Sequence, residues 1–239
     1  MTSSLMGLHK RRLEPELMDA LMLESSEHLK ALRGLQRINS VSFSSEALWH
    51  PIKRHCLLAG QRPLRVLDVA AGAGDIAIHL TKRAKKENLP IVFEGCDFNP
   101  RAVKYANERA RRAKSDVHFF EWNAMRDTVP DRFDAVISSL FLHHLDDQPL
   151  RFFLASLLAS RARLVVFSDL TRSLSGLILC FLGTRLLSRS AIVHKDGILS
   201  VKAAFTLAEI DHLVTSAGLS GAQIQSIWPM RYLLTWTRK

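Results

Sequence analysis

Apolar positions in the first sixty residues recur at helical spacing, with polar residues between them. Three stretches carry this pattern and predict helices at 16–23, 27–38 and 46–58. Pro15, the Asn39-Ser40 pair and Gly60 separate them, as residues that interrupt helices do. We therefore predict an N-terminal helical cap over residues 1–60.

From about residue 61 the pattern changes to short apolar runs that alternate with helical stretches. The apolar runs predict strands at 64–69, 91–96, 117–120, 133–138 and 164–167. The intervening stretches predict helices at 75–84, 99–114 and 149–160. Strands that alternate with helices favour a parallel sheet that is covered on both faces.

Residues 170–205 break this alternation. Their apolar positions share one helical face, at Leu174, Leu177, Ile178, Phe181, Leu182 and Leu186. We predict a cap insertion at 171–205, placed after the fifth strand to cover a substrate site together with the N-terminal helices.

The alternation resumes with a capping box at Thr206 and Glu209, and Gly218 ends that helix. Two further runs, 222–228 and 232–236, predict a final pair of strands. The fold class predicted for residues 61–239 is therefore α/β, with a Rossmann-like, seven-stranded, mostly parallel sheet that has one antiparallel strand.

Composition narrows the class of protein. Apolar residues make up 47% of the chain and charged residues 23%, as in ordinary globular domains. The formal net charge of +10 is dispersed, and no nucleic-acid-binding signature accompanies it. The longest apolar run, 174–183, is about half of a membrane span, and the N-terminus lacks the apolar core of a signal peptide.

The three cysteines, Cys56, Cys96 and Cys180, form neither a metal-binding pattern nor a disulfide framework. Scattered free thiols fit a reducing compartment. We expect a cytoplasmic protein with no metal site, no stable membrane insertion and no nucleic-acid partner. The sequence carries no signal for an oligomeric state.

A glycine-containing loop follows the first strand of the alternating region. Gly72 and Gly74 allow a sharp turn and the close approach of a ligand to the backbone. Such a loop also occurs as a tight turn without a ligand. Two acidic residues favour binding: Asp68 ends an apolar strand, where a charge needs compensation, and Asp97 ends the next strand, where a carboxylate suits ribose hydroxyls.

The sequence resembles the class I S-adenosylmethionine (SAM)-dependent methyltransferases. The segment 68–74 is similar to their glycine-rich motif, and 96–100 to their ribose motif. The segment 133–139, followed by Leu142-His143-His144-Leu145, resembles the branch that includes ubiquinone and menaquinone methyltransferases. The resemblance covers about residues 62–170, and more loosely the rest to 239.

This resemblance implies SAM as the cofactor and assigns residues to it. Gly72, Ala73 and Gly74 would line the amino acid end, Asp97 would hold the ribose, and Phe98 would border the adenine. Asn123 stands where the family often has an acidic residue, and its carbonyl oxygen can accept a hydrogen bond from the adenine amine. The complete implied set is Asp68, Ala70, Gly72, Ala73, Gly74, Asp97, Phe98, Asn123, Ala124 and Ser138.

Methyl transfer to an oxygen benefits from a general base, and three histidines are candidates. His143 and His144 follow the fourth strand, at the sheet edge where such folds bind ligands. His194 lies inside the insertion. A local structural role is the alternative for each, and Asp169, which ends the fifth strand, suits either substrate contact or capping. We expect that Asp97 is exposed and that its removal leaves the stability of the ligand-free fold almost unchanged.

The predicted function is SAM-dependent methylation of an apolar or aromatic small molecule, polyketide-like in character. O-methylation is the first predicted reaction, and C-methylation of a quinone-like ring is the second. The tetrapeptides Asn-Pro-Pro-Tyr and Asp-Pro-Pro-Tyr are absent after the fourth strand, which speaks against methylation of nucleic-acid bases. Two alternatives stay open. One is an NAD(P)-dependent oxidoreductase, because Gly72, Gly74 and Ala77 also satisfy GxGxxA; the other is a non-catalytic SAM-binding partner protein.

Overall fold

The computed structural model describes residues 7–17, 27, 30–34, 37–38, 44–60 and 62–238. Residues 27, 30–34 and 37–38 are helical. Most of the predicted helix 16–23, and the remainder of the helix 27–38, lie outside the described residues.

The centre of the molecule is a seven-stranded sheet with the order β3-β2-β1-β4-β5-β7-β6. The strands are β1 Leu64–Val69, β2 Ile91–Asp97, β3 His118–Glu121, β4 Ala135–Ser139, β5 Leu164–Leu170, β6 Gln223–Ile227 and β7 Arg231–Thr237. β7 runs antiparallel to both of its neighbours, and the pairs among β1 to β5 are parallel. The predicted Rossmann-like sheet with one antiparallel strand is confirmed.

The helices are α1 Ser44–Ala59, α2 Asp75–Lys86, α3 Pro100–Arg112, α4 Asp147–Ala159, α5 Leu174–Leu187, α6 Ala191–Ala203 and α7 Leu207–Ser216. Side chains at their first residues explain where several of these helices begin. Asn99 caps α3 by accepting a hydrogen bond from the Arg101 amide, with Pro100 in the first turn. The predicted capping box of Thr206 and Glu209 begins α7.

The sheet divides the apolar core into two parts. One buried cluster contains Trp49, Leu80 and Phe93 and packs α1, α2 and α3 on one face. The other contains Phe153, Ile210 and Trp236 and packs α4 and α7 on the opposite face. Because both faces are covered, the interior strands are apolar almost throughout rather than alternating.

The strand order reverses between β1 and β4, where Val69 pairs with Ser138. From β1 the chain crosses to β2 and β3 on one side, and from β4 to β5 on the other. The connecting loops therefore diverge at the carboxyl ends of these two strands and leave a crevice. Open α/β sheets bind ligands in this crevice.

The insertion after β5 forms two helices, of which only the first was indicated by the pattern of apolar residues. α5 packs against α6 through small residues: a side-chain carbon added to Gly197 would lie 2.9 Å from the Cys180 sulfur and 3.0 Å from the Thr184 methyl. This close crossing leaves the large residues of α5 outside. Ile178, Phe181, Leu182 and Leu186 are exposed, and no helix of the described residues is long and apolar enough to cross a membrane.

Candidate active site

A cavity of about 360 Å³ occupies the crevice at the carboxyl ends of β1, β2 and β4. Its volume lies within the range of small-molecule sites. The lining includes Asp68, Ala70, Gly72, Ala73, Asp97, Phe98, Asn123 and Ala124 from the predicted cofactor set, and His144 from the predicted histidines. Glu16 and Leu32 line it from the N-terminal part of the chain.

The two glycines of the loop after β1 are needed for different structural reasons. Gly74 has a φ of +72°, and a side-chain carbon there would lie 2.4 Å from the Phe119 ring, so it allows close packing beneath the loop. Gly72 has a φ of +53°, and nothing lies within 4 Å of the position its side chain would occupy. Gly72 therefore leaves the backbone open toward the cavity, whereas Gly74 does not line it.

Two backbone amides hold the Asp97 carboxylate, one at each of its oxygens. Its Oδ2 accepts a hydrogen bond from the Gly72 amide at 2.9 Å, and its Oδ1 accepts one from the Asn99 amide at 2.9 Å. It is only 8% exposed. The expectation that Asp97 is exposed is therefore wrong. Because the carboxylate joins the glycine loop to the end of β2, we now predict that its removal also affects the ligand-free fold.

Asp68 is buried beside the cavity, and Oδ2 of its carboxylate has no hydrogen-bond partner among the described residues. Burial, together with the nearby charges of Asp75 and Asp97, raises the pKa of Asp68 well above its ordinary value. A buried carboxylate oxygen without a partner suits a cationic ligand group.

The adenine side predicted from the sequence consists of Phe98, Asn123 and Ala124. All three line the cavity. The Asn123 Oδ1 already accepts a hydrogen bond from the Met125 amide at 2.9 Å, so it has one remaining lone pair for another donor. The Asn123 backbone amide donates to Asp127, which holds the loop after β3 in place.

Ser138 does not line the cavity. Its hydroxyl donates to the Val69 carbonyl at 2.8 Å and so joins β4 to β1 in the interior. The next residues, Ser139, Leu140 and Phe141, line the cavity instead. Leu140 adopts the left-handed backbone region with a φ of +58°, which is unfavourable for a leucine and is characteristic of functional sites.

His143, which follows β4, and Asp169, which lies near the end of β5, form a buried pair. The Nδ1 of His143 lies 2.6 Å from Oδ1 of Asp169, and the His143 amide donates to Oδ2 at 3.1 Å. Burial alone would raise the pKa of Asp169, but its interactions with His143 outweigh burial and hold that pKa below its ordinary value. Asp169 therefore stays ionised and orients the imidazole.

The three candidate histidines occupy different places. His144 lines the cavity, with its ring centroid 4.2 Å from that of His143. His143 is buried directly behind it. His194 lies on α6, where its Nε2 is 2.8 Å from the Ser188 carbonyl, and it does not line the cavity.

An N-terminal segment, which belongs to the cap predicted over residues 1–60, passes next to His143 and His144, although none of its residues was predicted as a site residue. Arg11 fastens it, donating to the backbone carbonyls of His143, Leu145 and Ala203. Farther along, the Leu17 amide donates to Asp196 on α6. Glu16 is thereby placed with Oε1 3.9 Å from Nε2 of His143 and Oε2 4.0 Å from Nε2 of His144.

None of the residues that line this cavity belongs to 171–205. The apolar face of α5 is turned to the surface, and α6 contacts the short 3-10 helix Leu142–His144. The assignment of 171–205 as a substrate cap stays a prediction.

Comparison with known proteins gives matches over the central part of the chain. Residues 66–160 match the family model described as a methyltransferase domain. A demethylmenaquinone methyltransferase from Deinococcus radiodurans is 37% identical over 86 residues, which is 36% of this chain and 34% of that protein. A protein of the same name from Thermus thermophilus is 34% identical over 129 residues, 53% of this chain and 56% of that protein. The matches thus span only part of these relatives.

Solved structures extend the likeness to nearly the whole chain. The apo form of the SAM-dependent methyltransferase SibL has a TM-score of 0.66 at 14% identity, over 99% of this chain and 69% of that one. An O-methyltransferase family 2 protein from Planctomyces limnophilus, in complex with apigenin, has a TM-score of 0.62 at 15% identity, over 91% of this chain and 63% of that one. At such identities the likeness establishes the fold.

Proposed function

Because this chain carries a class I SAM-dependent methyltransferase domain, we propose that the protein transfers the methyl group of SAM to a small molecule. The observation that carries the proposal is the paired placement of Asp68 and Asp97 on one cavity. The Asp68 carboxylate has an oxygen without a hydrogen-bond partner among the described residues, which would suit a cationic group, and the Asp97 carboxylate is held by the glycine loop at the end of β2.

The residues of the cavity fit the parts of SAM. Asp68 would face the ammonium group of its amino acid end, and the open backbone at Gly72 would let that end approach closely. Asp97 would accept hydrogen bonds from the ribose hydroxyls, and Phe98 would pack against the adenine. When bound, SAM supplies a methyl group already activated by a sulfonium, so the protein has chiefly to align the acceptor atom.

We propose O-methylation of an apolar or aromatic molecule as the reaction. The cavity includes the apolar residues Leu32, Phe141 and Leu145 beside His144, which suits a hydrophobic substrate with one polar group. The cluster of Glu16, His143 and His144 stands where it could polarise or deprotonate a substrate hydroxyl. Asp169 would act through His143 as a positioning residue.

C-methylation of a quinone-like ring is the second candidate. It is favoured by the two relatives, which are both named demethylmenaquinone methyltransferases. An aromatic hydroquinone presents both a hydroxyl and a ring carbon to the same cavity, so the fold does not discriminate between the two products.

The test has a binding arm and a product arm. Titration calorimetry with SAM, and with NADH as the control nucleotide, should give saturable heat for SAM alone. Incubation with SAM carrying an isotope-labelled methyl group and a panel of phenols, flavonoids and hydroquinones should give a labelled product, whose methyl position follows from NMR. NADH binding without SAM binding would refute the cofactor assignment. SAM binding without any labelled product across the panel would favour a non-catalytic partner protein.

A further inference from the structure

Glu16, His143 and His144 bring three metal-ligating side chains to one point beside the cavity. The ligand atoms they offer all lie within 4.8 Å of one another. We propose that these residues bind a divalent transition-metal ion such as Zn²⁺ or Fe²⁺, which deepens the proposed function by anchoring an oxygen atom of the substrate. Two imidazoles and one carboxylate, with open positions, are a recurrent ligand set for such ions.

The ligand atoms must move closer together to bind one ion, and since they lie within 4.8 Å of one another, no pair needs to close by more than about 1.5 Å. Ligand atoms about 2.0 Å from a tetrahedral Zn²⁺ are about 3.3 Å from one another. The Glu16 oxygens lie 3.9 Å and 4.0 Å from the two Nε2 atoms, so each pair must close by about 0.6–0.7 Å. Glu16 has three rotatable side-chain bonds, and the His144 side chain is 27% exposed, so both can adjust without moving the sheet.

Asp169 supplies the second observation, independent of the distances. Metal-binding histidines almost always donate their other ring nitrogen to a carboxylate or carbonyl, which fixes the ring and its tautomer. The Nδ1 of His143 makes this contact with buried Asp169 at 2.6 Å. With the proton on Nδ1, the Nε2 lone pair of His143 is directed at the side of the ring where Glu16 lies.

Glu16 is also held by α6. Its Oε1 accepts a hydrogen bond from the Ser200 hydroxyl, and this contact helps to keep the carboxylate 3.9 Å from Nε2 of His143.

The position of the cluster also suits a substrate anchor. Glu16 and His144 line the cavity, whereas His143 lies behind them, so three protein ligands would approach the ion from one side. The remaining coordination positions would face the cavity, as in catalytic metal sites. A hydroxyl oxygen bound there would have its pKa lowered by the ion.

No metal was predicted from the sequence, because its cysteines form no metal-binding pattern. Residue 16 is separated from residues 143 and 144 by more than half the chain, so spacing could not reveal the cluster. Contacts made by Arg11, by the Leu17 amide with Asp196 and by Glu16 itself with Ser200 bring the carboxylate to the histidines.

The experiment uses the full chain, freed of metal by a chelator and dialysis. Co²⁺ is titrated as a spectroscopic probe, and Zn²⁺ affinity is then measured by competition. Glu16→Gln preserves shape and removes the charge; His144→Ala removes one imidazole. The matched control is His212→Ala, because His212 is exposed on α7, away from the cavity. Thermal melts verify that each variant is folded.

The expected result is one equivalent of Co²⁺ with visible absorption bands in the wild type and in His212→Ala. Glu16→Gln and His144→Ala should each weaken binding by roughly 10- to 100-fold or more, since even outer ligands of metal sites contribute that much. Equal Co²⁺ affinity in the wild type and both cluster variants would overturn the proposal and leave an ordinary His–Glu ion pair.

Failure of this inference is distinguishable from failure of the proposed function. SAM affinity is measured on the metal-free protein, and Co²⁺ affinity is measured without SAM. SAM binding with no specific Co²⁺ site rejects the metal alone. A specific Co²⁺ site with no SAM binding rejects the methyltransferase assignment and keeps the metal.

Discussion

The Nδ1 atom of His143 lies 2.6 Å from Oδ1 of Asp169, and both side chains are almost completely buried. Oδ1 of Asp169 also accepts a hydrogen bond from the Leu170 amide at 2.7 Å. The imidazole is thus held by an ionised carboxylate that is itself fixed to the end of β5, while its Nε2 is directed toward Glu16 and the cavity wall.

Asp169→Asn should therefore lower turnover while leaving cofactor binding intact. The amide keeps the shape but loses the charge that orients His143, and such supporting residues typically contribute 10- to 100-fold, at order-of-magnitude precision. We expect kcat at saturating SAM to fall by roughly that factor, with the SAM Kd unchanged. Asp211→Asn, at an exposed position of α7, is the control. A variant with wild-type kcat would show that the pair serves stability only.

Asp97→Ala should weaken SAM binding and also destabilise the ligand-free protein. Loss of hydrogen bonds to a charged group costs about 1.5–3 kcal/mol, which corresponds to roughly a ten- to hundredfold higher Kd. The Gly72 and Asn99 amides also lose their acceptor, and a buried amide left without a partner costs about 1–3 kcal/mol. Calorimetry and urea unfolding measure the two effects, with Asp97→Asn expected between wild type and alanine. Unchanged SAM affinity would place the ribose elsewhere.

Asp68→Asn should stabilise the ligand-free fold near neutral pH and weaken SAM binding. Because the folded-state pKa of Asp68 is raised, the folded protein holds this proton more tightly than the unfolded chain. The free energy of unfolding therefore falls as pH rises above the ordinary value of 3.8 and continues to fall up to the raised folded-state pKa. Asparagine has no charge to desolvate, so its advantage should grow over that range.

Urea titrations of wild type and Asp68→Asn at a series of pH values measure this difference. Calorimetry with SAM measures the opposite effect, the loss of the carboxylate that would face the ligand's ammonium. If Asp68→Asn is less stable than wild type at neutral pH, then the carboxylate is satisfied in a way that the structure does not describe.

Alanine at Gly72 and at Gly74 should have separable effects. Both positions are in the left-handed region, where a side-chain carbon costs about 1–2 kcal/mol. At Gly74 the added carbon also meets the Phe119 ring, and such overpacking adds about 1–3 kcal/mol. At Gly72 it enters the open cavity. Urea unfolding should thus find Gly74→Ala the less stable variant. Calorimetry should find that Gly72→Ala binds SAM more weakly than its loss of stability alone would explain. Equal stability of the two would contradict this account.

Much of the fold was predictable because it depends on local patterns. The strand at 64–69 coincides with β1, since its apolar run ends at a glycine loop and begins after Pro63. The capping residues of α3 and α7 likewise act over two or three positions. α6 was missed because its Gly197 and its mixed polar and apolar residues give no clear helical stripe, and it is held by close packing on α5.

The site was predictable only where it follows strand ends. Asp68, Asp97 and His144 lie at the carboxyl edge of the sheet, which the alternation of elements locates. The burial of Asp97 was not predictable, because it depends on the path by which the glycine loop returns its amide to the carboxylate. Glu16 was missed because its position depends on contacts made by the N-terminal segment with residues 143–145 and 196–203.

The antiparallel placement of β7 has a consequence for the order in which the sheet is assembled on the ribosome. β7 is synthesised after the other six strands, yet it lies between β5 and β6 and pairs with all of β5 from Leu164 to Leu170. Until it emerges, β5 presents an open, apolar strand edge, which is the kind of surface that pairs with other chains. The nascent protein therefore passes through a stage in which the cofactor loop is already made while the sheet can still aggregate, and the emergence of β7 ends that stage.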